Sequence, residues 1–230
     1  MHAIAYGVGV GPGDPELMTL KACRLIREAD VVAVPGRVAQ ETVAYKIAVQ
    51  AVPELAEKPL LPIPMPMTHD RAALERSHRA GAEAIAEHLR RGQSVVFLTL
   101  GDCTVYCTFS YLQKYLHEAG FETRLVSGIP SFCAAAARIN QPLTVWQEEL
   151  HVLPAVHDLE APLPEKGTCV LMKSASKMAQ VKQLLRESGR EAILVENCGT
   201  ADERVYWNVE DIPDDAGYYS LIISREKSYD

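Results

Sequence analysis

The sequence predicts an α/β protein built as two α/β domains. Three observations carry that expectation. Short apolar runs alternate with stretches whose apolar residues recur at helical spacing. The clearest run, Ser94 to Leu100, is continuous, as suits a parallel strand covered on both faces. Several of the runs empty into turns of Gly and small polar residues that open the next helix. A length of 230 residues suits one large domain or two small ones, and can bury a core without staples.

Ala3 to Val10 reads as a buried first strand, followed by Gly11-Pro12-Gly13. Asp14-Pro15 then supplies an N-cap acid and a proline at the first helical position. Leu17, Leu20, Cys23 and Ile26 continue that helix to Ala29. Val31 to Val34 is a second strand ending at Pro35-Gly36, and Glu41 to Val52 a shorter helix. The proline-rich stretch Pro53 to Thr68 holds Leu60, Leu61 and Ile63 as an edge strand, where proline is tolerated. A long helix covers Arg71 to Arg91, with Leu74, Ile85 and Leu89 on one face and Gly92 as its stop. Ser94 to Leu100 is the clearest strand and leads into Gly101-Asp102-Cys103-Thr104. The next helix places Val105, Phe109, Leu112 and Leu116 on one face. Arg124 to Val126 is a short strand, and Ser127-Gly128-Ile129-Pro130-Ser131 opens an alanine-rich helix to Arg138.

Asn140-Gln141-Pro142 punctuates the chain. Beyond it, strands are expected at 150–154, 168–173, 192–196 and 218–224, with a helix at about 176–188 and a further strand near Glu203 to Trp207. The division falls at 143: residues 1–143 form an N-terminal domain on a mostly parallel sheet, residues 144–230 a C-terminal α/β domain.

Composition removes whole classes of function. Apolar residues at 48% against 23% charged exclude a disordered chain. The net charge of −7 argues against nucleic acid, whose binders lean on basic surface. No apolar run nears the ~20 residues of a membrane span. Met1-His2-Ala3-Ile4 enters strand-like sequence with no basic leader, so a soluble, cytoplasmic protein with no membrane partner is expected. The cysteines at 23, 103, 107, 133, 169 and 198 contain no C-x-x-C pair and no zinc spacing. They are expected to be reduced and non-catalytic, with no protein-bound metal. Cys23, Cys133 and Cys169 have apolar neighbours and read as small core residues. Cys103 and Cys107 are spaced to share a helix face. The histidines at 69, 78, 88, 117, 151 and 157 fall mostly on polar helix faces or loops, where a solvated role is expected.

Ligands of open parallel sheets bind beyond the carboxyl ends of the strands. Three such ends are rich in Gly and small polar residues. Gly7-Val8-Gly9-Val10-Gly11-Pro12-Gly13-Asp14 looks like a dinucleotide loop but fails the fingerprint. Starting G-x-G-x-x-G at Gly7, Gly9 or Gly11 puts Pro12, Asp14 or Glu16 at the third glycine. Its plain reading is a tight strand–helix turn. Leu100 to Tyr106 places Asp102 where an acid is either an N-cap or the partner of a cationic ligand. Gly128 to Ala136 reads as a well-capped core helix. Singly these signals are weak, whereas their order and spacing together are specific.

That order resembles the tetrapyrrole methylases, S-adenosylmethionine-dependent enzymes of sirohaem and cobalamin synthesis. The matching stretches are G-V-G-P-G-D-P-E-L-M-T-L-K-A at 9–22, L-G-D-C-T-V-Y at 100–106, V-S-G-I-P-S-F at 126–132, V-L-M-K at 170–173 and V-E-N-C-G-T-A-D-E-R-V-Y at 195–206. Residues 107–112 and 202–223 look most like the branch that methylates carbon 20 of precorrin-2 or its cobalt form, cobalt-factor II. Cys103 is a departure, since relatives often carry proline there. The resemblance implies two α/β domains with the active site in the cleft between them, in a homodimer. It implies that Gly101, Asp102 and Cys103, with Val105 and Tyr106 beside them, hold the methionine part of the cofactor. Ser131 and Phe132 add contacts, and Met172 with Asn197, Thr200 and Ala201 reach the adenosine. Pro12, Gly13 and Asp14 lie on the tetrapyrrole side.

Methyl transfer from a sulfonium to an electron-rich ring carbon asks mainly for alignment. A proton must later leave that carbon, and Asp102 and Asp14 are the acids at strand ends that could take it. The substrate is a polycarboxylate, so cations must answer it locally. Arg37 is the best placed and Lys173 the second, each with a surface ion pair as its ordinary alternative. Three other readings stay open: methylation at a different tetrapyrrole position, a non-catalytic tetrapyrrole-binding module, and a nicotinamide-dependent oxidoreductase with Arg37 at a 2′-phosphate.

Overall fold

The computed structural model describes residues 3–68, 70–154 and 162–226, so His69 and His157 lie outside the described residues. Contacts divide the chain into Met1–Pro130 and Ser131–Asp230. This boundary precedes the 143 read from the sequence. The helix Ser131–Arg138 packs against the last strand of the second unit, which carries it across.

The first unit is a five-stranded sheet. Its strands are β1 (Ile4–Gly9), β2 (Val31–Pro35), β3 (Leu60–Ile63), β4 (Val95–Thr99) and β5 (Glu122–Val126). They run in the order β3-β2-β4-β1-β5, every pair parallel. β4 is central and buried along its whole length, as its unbroken apolar run requires. Helices α1 (Leu20–Glu28) and α2 (Val43–Ala51) cover one face, with Ala22, Ile26, Ile47 and Ala48 packed on Val8, Val32, Val96 and Leu98. Helices α3 (Arg71–Arg90) and α4 (Phe109–Glu118) cover the other, with Ile85, Leu89, Leu112 and Leu116 packed on Ala5, Ala33, Val95 and Phe97. Alternate residues of each strand thus feed two separate cores. β3 is the edge strand that its Pro62 allows.

Two helix starts differ from the sequence reading. Asp14 caps only a short 3-10 turn, Pro15–Leu17, and Thr19 caps α1 afresh by accepting from the Ala22 N–H. Leu20 consequently leaves the buried face and is 90% exposed. The restart comes from two cap residues five positions apart, each competing to set the helix phase. Likewise α4 begins at Phe109, so Val105 lies in a turn and Cys103 and Cys107 share no helix face. Asp102 and its neighbours hold that turn out of the helix, as described below.

The second unit carries α5 (Ser131–Arg138), β6 (Leu150–Pro154), β7 (Thr168–Met172), α6 (Met178–Ser188), β8 (Glu191–Glu196), β9 (Arg204–Tyr206) and β10 (Ser220–Arg225). The sheet order is β6-β7-β10-β8-β9, in which only β6 and β7 pair in parallel. Met178, Val181 and Leu185 of α6 pack on Leu171, Leu194 and Ile222. Arg190 is buried and donates to Ser224 Oγ, to the Ser224 carbonyl and to the carbonyls of Pro164, Glu165 and Gly167. It ties the start of β8 to β10 and to the segment before β7.

Of the cysteines read as core residues, Cys169 is buried and Cys23 half-buried, but Cys133 is exposed on the outer face of α5. Phe132, Ala134, Ala135 and Ala136 fill that helix's inner face, which leaves Cys133 outside it. His78 is half-buried: it stacks on Tyr111 with ring centroids 4.6 Å apart, and burial lowers its pKa. No helix among the described residues is long and apolar enough to cross a membrane.

Candidate functional site

Three strand ends meet at the carboxyl edge of the first sheet. β1 lies between β4 and β5, with Gly9 in register with Thr99 and Val8 with Val126. The stretch Gly7 to Asp14 that looked like a dinucleotide loop therefore begins as strand, its first three residues closing β1. Gly7 and Gly9 are inside β1, and each is small because something occupies the space of its side chain. A Cβ on Gly7 would stand 2.3 Å from the Phe109 ring. A Cβ on Gly9 would stand 2.5 Å from the Gly101 carbonyl oxygen and 2.8 Å from the Gly128 nitrogen. Gly128 is equally pressed, its Cβ position 2.3 Å from that same carbonyl. The glycines of three loops thus pack backbone on backbone. The failed fingerprint has this physical cause: the glycines serve the convergence of the loops.

The convergence is closed by hydrogen bonds. Gly11 and Gly101 exchange backbone bonds at 3.2 and 2.8 Å, and both adopt left-handed φ, 77° and 71°. Asp102, 5% exposed, receives four donors. The Thr104 N–H (2.6 Å) and hydroxyl reach Oδ1, and the Ser127 hydroxyl and Gly128 N–H (2.9 Å) reach Oδ2. Burial alone would raise its pKa, but these bonds outweigh burial and hold the carboxyl below the usual carboxylate range. The Cys103 thiol donates to the Val126 carbonyl at 3.1 Å, a second tie between the same loops. Burial pushes that thiol up to about 11. Cys107 faces Thr99 Oγ1 at 3.3 Å in the core below.

Gly101, Asp102 and Cys103 are thus brought together with Val105 and Tyr106. Tyr106 is 44% exposed and held at φ 48°, a conformation that costs a non-glycine residue and concentrates at functional sites. Pro12 and Gly13 are buried beside the Gly11–Gly101 bridge. Asp14 accepts the Glu16 N–H at 2.8 Å on Oδ1, and no donor among the described residues reaches its Oδ2. Arg37 is exposed in the loop after β2 and enters no ion pair among the described residues.

In the second unit, β7 and β8 both pair antiparallel with β10, so their carboxyl ends share one edge. Leu221 is in register with both Met172 and Val195, which sets Met172 and the Asn197 loop on either side of the start of β10. Each strand is followed at once by a non-glycine residue in the left-handed region, Lys173 at φ 59° and Asn197 at φ 51°. The loop from Asn197 folds on itself. The Thr200 N–H and hydroxyl both donate to the Asn197 carbonyl, at 3.1 and 2.9 Å, and Glu203 accepts the Gly199 N–H at 2.8 Å and pairs with Arg138 of α5. Thr200 and Ala201 are exposed at its tip. Phe132 is buried and Ser131 half-buried at the first turn of α5. Sequence reasoning missed Ser127 and Thr104; a threonine two residues after a strand-end acid was the available signal for Thr104, and Ser127, 25 residues from that acid, offered none.

Comparison with known proteins identifies the family and the fold. The family model of the tetrapyrrole (corrin/porphyrin) methylases matches residues 5–213. The chain is 35% identical over 201 residues to a probable cobalt-precorrin-2 C(20)-methyltransferase of Methanocaldococcus jannaschii, covering 87% of this chain and 85% of that protein. It is 28% identical to the cobalt-precorrin-2 C(20)-methyltransferase of Salmonella typhimurium, across 99% of this chain and 98% of that one. Among solved structures, a uroporphyrin-III C-methyltransferase of Thermus thermophilus superposes with a TM-score of 0.75 at 25% identity, over 98% of this chain and 95% of that one. The chain belongs to the tetrapyrrole methylase family.

Proposed function

We propose that the protein transfers a methyl group from S-adenosylmethionine to carbon 20 of a dihydro-tetrapyrrole, cobalt-factor II first and metal-free precorrin-2 second. The observation that carries the reading is 35% identity over 87% of the chain to a probable cobalt-precorrin-2 C(20)-methyltransferase, within a family match at 5–213 that spans all three converging loops. The same loops support a donor site: they converge at the carboxyl edge of a parallel sheet, and Tyr106 is held in a strained, exposed turn beside them. S-adenosylmethionine, when bound, supplies a methyl group that its sulfonium already makes electrophilic. The chain's own work is to hold donor and acceptor in line. In this reading Gly101, Cys103, Val105 and Tyr106 approach the methionine part, Ser131 and Phe132 add to it, and Met172, Asn197, Thr200 and Ala201 serve the adenosine.

The carbon-bound proton needs an acceptor. Asp102 is a poor one, since its four acceptor positions are filled and its charge is stabilised. Asp14 uses only Oδ1 and is the better placed. Arg37 answers a substrate carboxylate despite the overall charge of −7. The test gives the protein both acceptors with carbon-13-labelled donor and locates the label by NMR. Label at carbon 20 of the cobalt form supports the proposal. Label at another meso carbon overturns the position, and label only on the metal-free ring overturns the metal preference. Absence of any binding of S-adenosylmethionine or S-adenosylhomocysteine would remove the reading altogether.

A further inference from the structure

We infer that Ser127, through Asp102, is a positioning residue that fixes the geometry of the donor-binding loops, and that the Asp102 carboxylate acts on the donor only through the backbone it holds. The inference rests on the proposed reading that the loops after β4 and β5 receive S-adenosylmethionine.

An ionised carboxylate offers about four lone-pair sites. Here Thr104 fills the two on Oδ1, and the Ser127 hydroxyl and Gly128 N–H fill the two on Oδ2. None is left for the ammonium of a bound donor. The donors come from both sides: Thr104 belongs to the loop after β4, Ser127 and Gly128 to the loop after β5. One carboxylate therefore sets the separation of two loops whose strands are not neighbours, since β1 lies between them. Contact beneath is already at its limit, with the Gly101 carbonyl wedged against Gly9 and Gly128. The loops cannot move closer, and the carboxylate keeps them from parting. Ser127 is itself exposed, so its hydroxyl supports no core packing. That separates its role from a structural one.

The experiment measures S-adenosylhomocysteine affinity by calorimetry and the melting temperature of the full-length protein. Ser127→Ala is expected to weaken binding about tenfold, the scale of one hydrogen bond to a charged group. Its melting temperature should move little. Ser127→Thr, which keeps the hydroxyl, should restore affinity to within about twofold. Asp102→Asn faces two donors with an amide nitrogen in either orientation and should weaken binding further. In the double variant the Ser127 effect should vanish, because the two act as one unit. In turnover the Ser127→Ala defect should appear in KM for the donor and leave kcat. Wild-type affinity in a folded Ser127→Ala overturns the inference, as does full additivity in the double variant. If the unaltered protein binds no S-adenosylhomocysteine, it is the underlying functional reading that fails.

Discussion

The carboxyl edges of the two sheets solve the same problem differently. In the first unit, loops from three adjacent parallel strands brace one another: Gly9, Gly101 and Gly128 touch, and Asp102 and Cys103 bridge what remains. In the second, β10 separates β7 from β8, so the loops after them start a strand apart. The Asn197 loop bonds mainly to itself, and the Lys173 and Asn197 backbones carry left-handed conformations singly. Parallel neighbours deliver their carboxyl ends side by side, so loops can share contacts. An antiparallel strand between two others sends its own amino end into the gap, and the Asn197 N–H bonds there to the Tyr219 carbonyl at 3.0 Å.

The largest expected effect breaks the first arrangement. Gly128→Ala places a methyl 2.3 Å from the Gly101 carbonyl and 2.9 Å from the Gly9 carbonyl carbon, both backbone atoms in strand ends that cannot swing aside. Overpacking of this kind costs roughly 3 kcal/mol or more, to be read from urea unfolding monitored by circular dichroism. A cost below roughly 1 kcal/mol would mean that the three loops yield independently, and the contrast between the edges would dissolve.

A smaller effect of opposite sign is expected on the second edge. Lys173 at φ 59° bears a penalty of roughly 1–2 kcal/mol for an L-residue in the left-handed region. Glycine removes it but loses more chain entropy on folding, which returns roughly 0.5–1 kcal/mol. Lys173→Gly should therefore stabilise the protein by about 0.5 kcal/mol. Asn197→Gly should be near neutral, because asparagine tolerates that region. Destabilisation by Lys173→Gly would show that the lysine side chain, and not backbone strain, decides that loop.

The same contrast explains what was legible in the residues. Strands and helices followed from apolar spacing, and the parallel character of the first sheet followed from the unbroken run at Val95–Thr99. The motifs at 100–106 and 126–132 marked the loops that the structure brings together. The pairing of Asp102 with Ser127 was not legible, because it joins residues far apart in sequence across an intervening strand. Two cap-forming residues before α1 gave a single apparent helix where the chain makes a turn and a restart. The antiparallel β10 was also hidden, since its apolar run reads the same in either direction. The contact division falls ahead of 143 for a related reason: α5 follows a first-unit strand in sequence but packs on β10.

The smallest effect expected is a protection, and it sharpens the closure of the first edge. Cys103 is 2% exposed and its thiol is spent on the Val126 carbonyl. Burial raises its pKa to about 11 from the usual 9.0. Only the thiolate alkylates, so a two-unit rise cuts the reactive fraction at pH 8 by roughly a hundredfold before access is considered. The sign is fixed by the direction of the shift. A raised folded-state pKa favours the neutral thiol, so its contribution to stability is full below the unfolded pKa and is lost as pH climbs toward 11. Native protein treated with iodoacetamide at pH 8 and digested for mass spectrometry should carry label at exposed Cys133 and none at Cys103. In urea both should label. The Gly128→Ala variant offers the sharper form of the test, because it parts the loops that cover Cys103. There, labelling of Cys103 should appear in the absence of urea, while the rate at Cys133, on α5 of the second unit, stays as it was. Equal labelling of the two cysteines in the unaltered native protein would mean that the first edge opens readily, and that its bracing is no firmer than the self-closed loops of the second.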